Sequence, residues 1–410
     1  MRGVLRLATY RRLLAAYALN ELAWSFSTLA LSFLIYRRSG SALGAAAFFL
    51  GTLFVPALIS PAVVARIDRR HPRLTLSVLY GLEAVAYVAL ALVANRAPWA
   101  IVLVIATLDG IIALTARSLA RAVSASVTSA AGLLREGNAL ANTLFTVCFM
   151  AGPAIAGGVI VAGGVSTVLF INGGLFTLIT VVLMTASNLP GPAPSELEAE
   201  GGGRLKAAVA YAMSRPTIRT LLGTQSALTL FFSLSVPVEV AFAQHTLHAG
   251  AAGYGVLFSA WGGGAVAGST IYARWRRLPA RELIVLGSVL LGGGLVLMAI
   301  APTLAVALVG SVIAGVGNGI FAVAARTAVQ EAVEPEWMAM MMSFNESLGQ
   351  LVPGAGILLG GVLATVASPR VALGVGGVGA LALTAVTWAL LRPPVRTSRP
   401  HIEGPAHDQV

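Results

Sequence analysis

Cysteine, lysine and charged residues in general are scarce in this sequence of 410 residues. Cys148 is the only cysteine, which excludes an internal disulfide bond and a metal cluster built from cysteines. Lys206 is the only lysine, and it lies between Leu205 and Ala207 rather than in the Gly-Lys-Ser/Thr core of a phosphate-binding loop. An ATP-driven motor is therefore not expected.

The balance of charged and apolar residues excludes two large classes of protein. Charged residues make up 10% of the chain and hydrophobic residues 57%, whereas an average soluble domain is roughly a quarter charged. So few charges cannot cover the surface of a soluble protein of this length. Disordered chains are rich in charge and poor in apolar residues, so disorder is excluded as well. Lipid must be the solvent for most of the chain.

Twelve segments are long and apolar enough to cross a bilayer, which takes about 20 residues of helix. We number them span one to span twelve. In the first half they run over Leu13–Ile35, Ala42–Ala65, Leu74–Ala94, Trp99–Arg117, Leu140–Val161 and Thr167–Ser187. In the second half they run over Thr217–Ala243, Ala252–Ala273, Glu282–Ile300, Thr303–Arg326, Met341–Ala367 and Val371–Leu391. The predicted fold class is an all-α membrane protein.

The basic residues lie in short clusters between the spans and indicate the orientation of the chain. Of the 27 arginine and lysine residues, 23 fall on the side of both termini and the central loop, and four fall on the other side. Because basic loops stay on the cytoplasmic side, both termini are predicted to be cytoplasmic in a cell membrane. The net charge of +11 is thus a topology signal and does not indicate nucleic-acid binding.

The chain divides into two related halves. Asp109-Gly-Ile-Ile-Ala-Leu-Thr-Ala-Arg117 reappears as Asn318-Gly-Ile-Phe-Ala-Val-Ala-Ala-Arg326, and other matches have nearly the same offset. We predict a six-helix bundle over residues 1–187, a polar cytoplasmic linker over 188–216, a second six-helix bundle over 217–391 and a disordered tail over 392–410. Many secondary transporters are built from such parallel repeats, with the substrate site between the halves.

Two short motifs carry a resemblance to the major facilitator superfamily. Asp68-Arg69-Arg70-His71-Pro72-Arg73 resembles the signature of its loop between spans two and three, although Val64, His71 and Pro72 depart from it. Gly152-Pro153-Ala-Ile-Ala-Gly157-Gly158 is similar to the Gly-Pro signature of exporters that work by antiport. Arg117 matches an arginine common in span four. The resemblance implies two parallel six-helix repeats that form the major facilitator fold.

Three further stretches resemble the proton-driven efflux branch that includes macrolide-efflux and enterobactin-exporter proteins. They are Tyr36 through Ala42, Asn138-Ala-Leu140 and Gln330 through Glu336. Members usually follow the last stretch with a Gly-Arg pair, where this chain has Met340 and Met341, so gating in the second half is expected to differ. The resemblance implies drug and proton antiport, with the proton gradient as energy source and no cofactor.

Acidic residues inside a bilayer are costly and are therefore candidates for function. Glu21 lies near the middle of span one, Asp109 in span four and Glu346 one turn inside span eleven, and these three are the candidate proton-coupling residues. For Glu83 in span three, a structural role is expected. Arg117 is eight residues from Asp109, about 12 Å along the helix and too far for direct pairing. It is expected either to form part of a gate or to snorkel from the end of span four.

Other polar and aromatic residues are candidates for the cavity, the gate and helix packing. Ser25, Thr28 and Ser32 follow Glu21 on one helix face, which is expected to face a central cavity. The candidate cavity or substrate residues are Asn20, Trp24, Ser25, Thr28, Gln225, Phe232, Asn318 and Gln350. The candidate gating residues are Asp68, Arg69, Arg73 and Arg117. The candidate helix-packing residues are Gly152, Pro153, Gly157 and Gly158.

These features predict a proton-coupled exporter of small amphipathic compounds, such as a drug, a macrolide or a siderophore-like molecule, that works by alternating access. It is expected to be a monomer with protons, a small-molecule substrate and lipid as partners, and without a metal, nucleic acid or catalytic site. One alternative is a facilitator or importer on the same fold without proton coupling. A polytopic membrane enzyme and a sensor that does not transport are further alternatives. The sequence does not choose the substrate.

Overall fold

The computed structural model describes residues 4–64, 66, 71–186, 189, 209–275, 278–334 and 337–390. These residues form helices and turns without a strand. The first half contains Ala8–Ser39 as span one, Ala42–Phe49, Leu50–Phe54 and Val55–Val64 as span two, Pro72–Val93 as span three, Trp99–Ala130 as span four and Leu134–Met184 as spans five and six. The second half contains Pro216–Ser233, Val238–Ala241 and Phe242–Thr246 as span seven, Gly250–Trp275 as span eight, Ala280–Ile300 as span nine, Leu304–Ala332 as span ten, Met338–Val366 as span eleven and Pro369–Leu390 as span twelve.

The predicted twelve-span, all-helical fold class is confirmed. Ten helical stretches in the described residues are long and apolar enough to cross a membrane. One of them holds both span five and span six, because the two are joined at Gly164 without a loop. Gly250–Trp275, a helix of 26 residues with seven glycines, is not among these ten and completes the twelve spans. The chain is a multi-pass membrane protein.

Three spans differ in detail from the sequence prediction. Gly164 has a φ of 80° and a ψ of 172°, a conformation open to glycine, and it turns the chain between spans five and six within an otherwise helical stretch. Span four continues to Ala130, so Arg117 lies well inside the helix and not at its end. Span seven is interrupted by a turn before Val238, next to Pro237, which cannot donate a helical hydrogen bond.

Several predicted features lie partly or wholly outside the described residues. They are Asp68 and Arg69 of the predicted gate, most of the linker, the C-terminal tail and the side chain of Glu346. Residues 209–214, within the predicted linker, are helical.

Arginine side chains bind backbone carbonyl groups at the helix ends. Arg38 donates to the carbonyl of Ala97 in the first half. Arg370 donates to the carbonyls of Ala299 and Ala301, both at 2.7 Å, in the second half. The last carbonyls of a helix have no partner within the helix, so Arg370 satisfies those at the end of span nine, whereas Arg38 binds a carbonyl in the turn between spans three and four. Some of the arginines that we interpreted only as orientation signals therefore also fix the positions of neighbouring spans.

Glycine lets the helices of the second half approach one another closely. A Cβ atom on Gly264 or Gly268 of span eight would collide with the backbone of Val312 or Val316 in span ten. Gly319 of span ten meets the backbone of span eight in the same way. Small residues at helix interfaces are typical of packing in membranes, because lipid gives no hydrophobic drive for association. Spans eight, nine and ten thus form one tightly packed group.

Hydrogen bonds and a ring contact join the two halves at one end of the bundle. We call the end where span one begins and span twelve ends the basic end, because the sequence places most arginines there. At the opposite end, Ser32 hydrogen-bonds Tyr254 at 3.2 Å and Ser41 hydrogen-bonds Thr365 at 3.1 Å, each pair across the halves. The ring of Tyr36 also contacts that of His245, with ring centroids 5.6 Å apart.

Candidate functional site

A central cavity of about 280 Å³ lies against the first half of the chain. Spans one, two and four supply most of its wall, and span eleven supplies Gln350. Its polar and aromatic lining includes Trp24, Thr28, Phe49, Thr52, Tyr87, Asp109, Arg117, Arg121 and Gln350. Trp24, Thr28 and Gln350 were predicted from the sequence as cavity residues, and Asp109 and Arg117 as residues of the transport machinery.

Glu21 and Arg117 form an ion pair beside this cavity. Arg117 Nε lies 3.7 Å from Glu21 Oε1, with the Glu21 side chain fully buried and that of Arg117 18% exposed. Asn20 donates to the same carboxylate oxygen at 3.4 Å. The guanidinium carbon of Arg117 lies 5.4 Å from the centre of the Trp24 ring, within the range of a cation–π contact. The idea that Arg117 snorkels to a helix end is therefore wrong, since it is held by span one.

Asp109 and Glu83 place two more carboxyl groups in the interior of the first half. Both are buried, with exposed fractions of 4% and 1%. The Tyr87 side chain interacts with Asp109 and with Ser27, which joins spans one, three and four. Sequence analysis assigned no role to Tyr87, although it lies four residues after Glu83 and hence on the same helix face.

Several of these buried groups have unused hydrogen-bonding capacity. Oε2 of Glu21, Oε1 of Glu83 and Oδ1 of Asp109 have no hydrogen-bond partner among the described residues, and neither has Nε of Arg117. Buried polar groups are usually paired, so these atoms have capacity for a further hydrogen bond. A proton, water or a substrate group could fill these positions.

A stretch of π-helix in span two shapes one wall of the central cavity. Leu50–Phe54 is wound with the wider π spacing, and Thr52 and Leu53 of this stretch line the cavity. Gly51 and Gly110 are the points of closest approach between spans two and four, because a Cβ on either would press on the neighbouring helix. Such π-helical turns occur often at functional sites.

A row of aromatic rings crosses from the first half to the second. Trp24 stacks on Phe149, with centroids 5.9 Å apart, and Phe149 contacts Trp261 at 5.5 Å. Trp261 stacks in turn on Phe232 at 5.4 Å. We call Trp24, Phe149, Trp261 and Phe232 the aromatic row. The sequence predicted its two ends as cavity residues but missed Phe149 and Trp261, since spacing along one helix does not reveal contacts between helices.

The predicted polar stripe of span one does not face a single cavity. Thr28 lines the central cavity as expected. Ser25 is buried against Gly152 of span five, and Ser32 binds Tyr254 of span eight. Thus only part of the stripe is available to a substrate, because span one is enclosed by helices on several sides.

The remaining predicted cavity and gate residues have separate environments. Asn20 is buried beside Glu21. Gln225 and Asn318 are half-buried, and Oε1 of Gln225 has no hydrogen-bond partner among the described residues. Arg73 is exposed at the start of span three.

The predicted packing motif of span five contacts two other spans. Gly152 lies against Ser25 of span one, whereas Pro153 and Gly157 lie against the backbone of span eight around Gly255 and Ala251. A Cβ on Gly158 would meet nothing within 4 Å, so the prediction that Gly158 packs against another helix is wrong. Pro153 and Gly157 therefore join the two halves, whereas Gly152 packs within the first half.

A second cavity of about 550 Å³ opens at the basic end, and we call it the basic-end cavity. Arg121 of span four and Arg326 of span ten line it, together with Asn138, Asn142, Tyr10, Tyr17 and Tyr80. Arg121 also lines the central cavity, so it stands between the two. Sequence analysis did not select Arg121 or Arg326 as site residues. The spacing of four residues from Arg117 places Arg121 on the same helix face and could have identified it.

Solved transporter structures share this arrangement of helices over nearly the whole chain. The nucleoside transporter NupG superposes with a TM-score of 0.74 at 13% identity, covering 94% of this chain and 100% of that one. A bacterial homologue of the iron transporter ferroportin, in an inward-facing state, gives 0.71 at 14% identity, with 94% and 98% covered. A POT family transporter in complex with a thioalcohol-conjugated peptide gives 0.69 at 12%, with 93% and 95% covered. This is the major facilitator fold.

Sequence comparison adds a match over the second half. Residues 221–408 match the sequence model of the Major Facilitator Superfamily. A comparison with curated proteins gave no match. This match covers less than half of the chain, and the structures that share the fold differ in what their names say they carry. Among the described residues, no group of three or more histidine, cysteine or acidic side chains is arranged to hold a metal ion.

Proposed function

We propose that this protein is a secondary transporter that exports small amphipathic compounds in exchange for protons. The observation that carries the proposal is the buried Glu21–Arg117 ion pair beside the central cavity, whose wall includes Arg117 of the first half and Gln350 of the second. A charged side chain inside a membrane is costly unless it is paired, and such residues usually serve transport. The major facilitator fold supports the transport function, and the pair supports coupling to protons.

Glu21 has two ways to avoid being a lone buried charge. As a carboxylate it pairs with Arg117, and as a neutral acid it needs no opposite charge. Proton binding to Glu21 therefore breaks the ion pair and frees Arg117 for another anion or for a new position. Loss of the proton restores the pair. This exchange of partners links the charge state of span one to the position of span four.

The arrangement of contacts between the halves suggests how this local event moves the whole protein. Contacts such as Ser32–Tyr254 and Ser41–Thr365 close the end opposite to the basic end. The basic-end cavity is open. If the basic end is cytoplasmic, as the arginine distribution predicts, this is an inward-facing arrangement. The resemblance of span five to the Gly-Pro signature of antiporters favours export over import.

Proton movement in proteoliposomes tests this proposal. Vesicles with an internal pH dye are exposed to a panel of amphipathic compounds, using wild-type protein and the Glu21→Gln variant. We expect at least one compound to drive proton movement in the wild type, and this movement to disappear in the variant. Arg11→Gln, a change at an exposed position of span one outside both cavities, serves as the control.

The same experiment separates the alternatives. Substrate movement without proton movement would replace exchange by a facilitator or importer on the same fold. Proton coupling that persists in Glu21→Gln would keep the transport function but would remove Glu21 from the coupling role.

A further inference from the structure

One buried acid of the second half, Glu239 of span seven, has no role in the proposed mechanism. We call the region where Ser32 meets Tyr254 and Ser41 meets Thr365, at the end opposite to the basic end, the seam. We infer that Glu239 binds a proton at the seam and that the two halves close there only when it is protonated. The inference rests on alternating access by the proposed transporter, but not on the ion pair that is proposed to couple protons to transport.

Glu239 belongs to a short helix that touches both halves. Val238–Ala241 packs against spans one and two of the first half and against spans eleven and twelve of the second. A turn precedes this helix and the π-helical stretch Phe242–Thr246 follows it, so the backbone of span seven is irregular on both sides. Separation of the two halves at the seam must therefore change the surroundings of Glu239.

The closed seam buries the Glu239 side chain next to apolar groups. Glu239 is 7% exposed, and its neighbours Val238, Val240 and Phe242 are fully buried. Among the residues that the structure describes, its carboxyl group has neither a hydrogen bond nor an ion pair. An ionised carboxylate in such surroundings is costly unless an opposite charge compensates it. The closed seam therefore favours the neutral acid, whereas an open seam would admit water and permit ionisation.

The elements packed around this helix carry few titratable groups. Ala42–Phe49 of span two and Ser347–Val366 of span eleven contain none. On the other elements near the seam, the titratable groups are Tyr36, Arg37 and Arg38 of span one, Tyr254 of span eight, Arg370 of span twelve, and His245 and His248 beyond Glu239 in the chain.

The basic groups of this set do not compensate a charge on Glu239. The side chains of Arg38 and Arg370 donate to backbone carbonyl groups, and Arg37 is exposed. His245 and His248 are exposed as well. The seam thus contains one buried acid without a counter-charge, and a proton is the simplest way to neutralise it.

Tyr254 connects the charge of Glu239 to a hydrogen bond that holds the seam. Its side chain interacts electrostatically with Glu239, and its hydroxyl group bonds that of Ser32 across the halves at 3.2 Å. Tyrosine is neutral near pH 7, so Tyr254 is not a counter-charge. Ionisation of Glu239 would place a negative charge beside this bond, without an arginine to balance it.

The proton on Glu239 acts as a ligand of the closed seam. A ligand shifts an equilibrium toward the state that binds it more tightly. Acid should therefore favour the closed seam, and alkaline conditions should favour its opening. Because Glu239 lies between the halves and outside the glycine packing of spans eight to ten, this proton changes the contact between the halves and leaves that packing intact.

Distance measurements across the opposite end test the inference directly. Spin labels on Val161→Cys and Ile300→Cys, in a Cys148→Ala background, report the separation of the halves by pulsed electron resonance in nanodiscs of zwitterionic lipid. The two labelled positions are 69% and 67% exposed, one in each half. We expect the ratio of closed to open seams to rise up to about tenfold for each unit of falling pH, because one proton is taken up on closing. A ratio that does not change with pH would overturn the inference.

Variants of the acid locate the proton. Glu239→Gln keeps the shape of the neutral acid, so the seam should stay closed at every pH. Glu239→Asp keeps an ionisable group and should retain the pH dependence. The control is Glu282→Gln, which changes an exposed acid in the first turn of span nine and should titrate like the wild type. A thermal unfolding curve of each variant shows whether the fold is intact.

Three results with these variants would contradict the inference. They are wild-type pH dependence in Glu239→Gln, a seam that stays open in Glu239→Gln, and loss of the pH dependence in both Glu239→Gln and Glu239→Asp. The last result would mean that the residue has a structural role and does not bind a proton that controls the seam.

The Glu21→Gln variant separates this inference from the proposed function. Glu21 lies beside the central cavity, so the pH dependence of the seam should persist in this variant. Dependence that is lost in Glu21→Gln and kept in Glu239→Gln would assign the response to Glu21 and overturn the inference. The measurement needs neither a substrate nor a proton gradient. Failed proton flux with an intact titration of the seam therefore rejects the coupling proposal alone, and the reverse result rejects the role of Glu239 alone.

Discussion

The two halves of this protein share one helical plan but fill their interiors differently. The first half buries Glu21, Glu83 and Asp109 close to Arg117. In the second half, glycines on spans eight, nine and ten bring helix backbones into direct contact. At the repeated position, Asp109 of the first half corresponds to Asn318 of the second, so the carboxylate is replaced by an amide while Arg117 and Arg326 are both kept. Both copies of the repeat thus contain the arginine, but only the first copy contains the acidic residue.

This difference suggests a division of labour. A network of buried charges has two arrangements, because each acid can hold a proton or an arginine, and such a network can switch. Close backbone contacts at glycine residues allow only one packing of the helices, so they keep spans eight to ten together as a unit. The first half would then respond to protons, while the second half would move as a rigid partner.

The largest effect on stability is expected when the close helix packing at a glycine of the second half is disrupted. Gly319→Val would push a side chain into the backbone of span eight at Ala265, at a cost of about 1–3 kcal/mol or more, and most of the folded protein should be lost. Gly293→Val, at a position with no neighbour within 4 Å, is the matched control and should fold normally. Gel filtration and thermal unfolding measure both. Equal behaviour of the two variants would mean that close packing does not hold the second half together.

A change of similar size in function, but not in folding, is expected for Glu21→Gln. Glutamine keeps the shape and cannot exchange a proton, so proton flux should fall to that of empty liposomes while the unfolding temperature stays near that of the wild type. The Glu83→Gln variant is the comparison, because Glu83 is a buried acid that forms no ion pair with an arginine among the described residues. If the two variants lost proton flux to the same extent, the special role of the Glu21–Arg117 pair would be lost.

The repeated Asp109 and Asn318 allow a direct test of the division between the halves. Asp109→Asn makes the first half resemble the second, and transport should fall roughly tenfold because one hydrogen-bonded charge is removed. Asn318→Ala should change transport less than twofold or threefold, since no charge is removed. Initial rates in proteoliposomes measure both. A greater loss in Asn318→Ala would reverse the assignment of the switching role to the first half.

A smaller effect than that of Asp109→Asn is expected for Arg117→Lys. Lysine retains the positive charge for Glu21 but makes a weaker contact with the Trp24 ring, so the rate should fall about twofold to fivefold, in line with a cation–π contact of about 0.5–1 kcal/mol. Arg117→Gln should lose far more, because it leaves Glu21 without its partner. Equal transport rates for Arg117→Lys and Arg117→Gln would show that transport does not depend on the charge of this residue.

The sequence predicted the fold better than it predicted the site. Long apolar runs, the distribution of arginine and the repeat around Asp109 and Asn318 define spans and halves, because membrane crossing depends on local composition. The Glu21–Arg117 pair and the contact of Phe149 with Trp261 depend on which helices are neighbours and how they are rotated. Ser25, Thr28 and Ser32 show the limit well, since one helix face meets a neighbouring helix, a cavity and the other half in turn.

Infrared difference spectroscopy of the carboxyl groups tests the central claim that Glu21 exchanges a proton for Arg117. Protein in a lipid film is switched between alkaline and acidic buffer, and the C=O stretching band of protonated carboxylic acids is recorded for wild type, Glu21→Gln and Glu83→Gln. We predict that one component of the reversible band is absent in Glu21→Gln and is present in Glu83→Gln. A band that is identical in the wild type and in Glu21→Gln would show that Glu21 does not exchange a proton, and it would contradict the account.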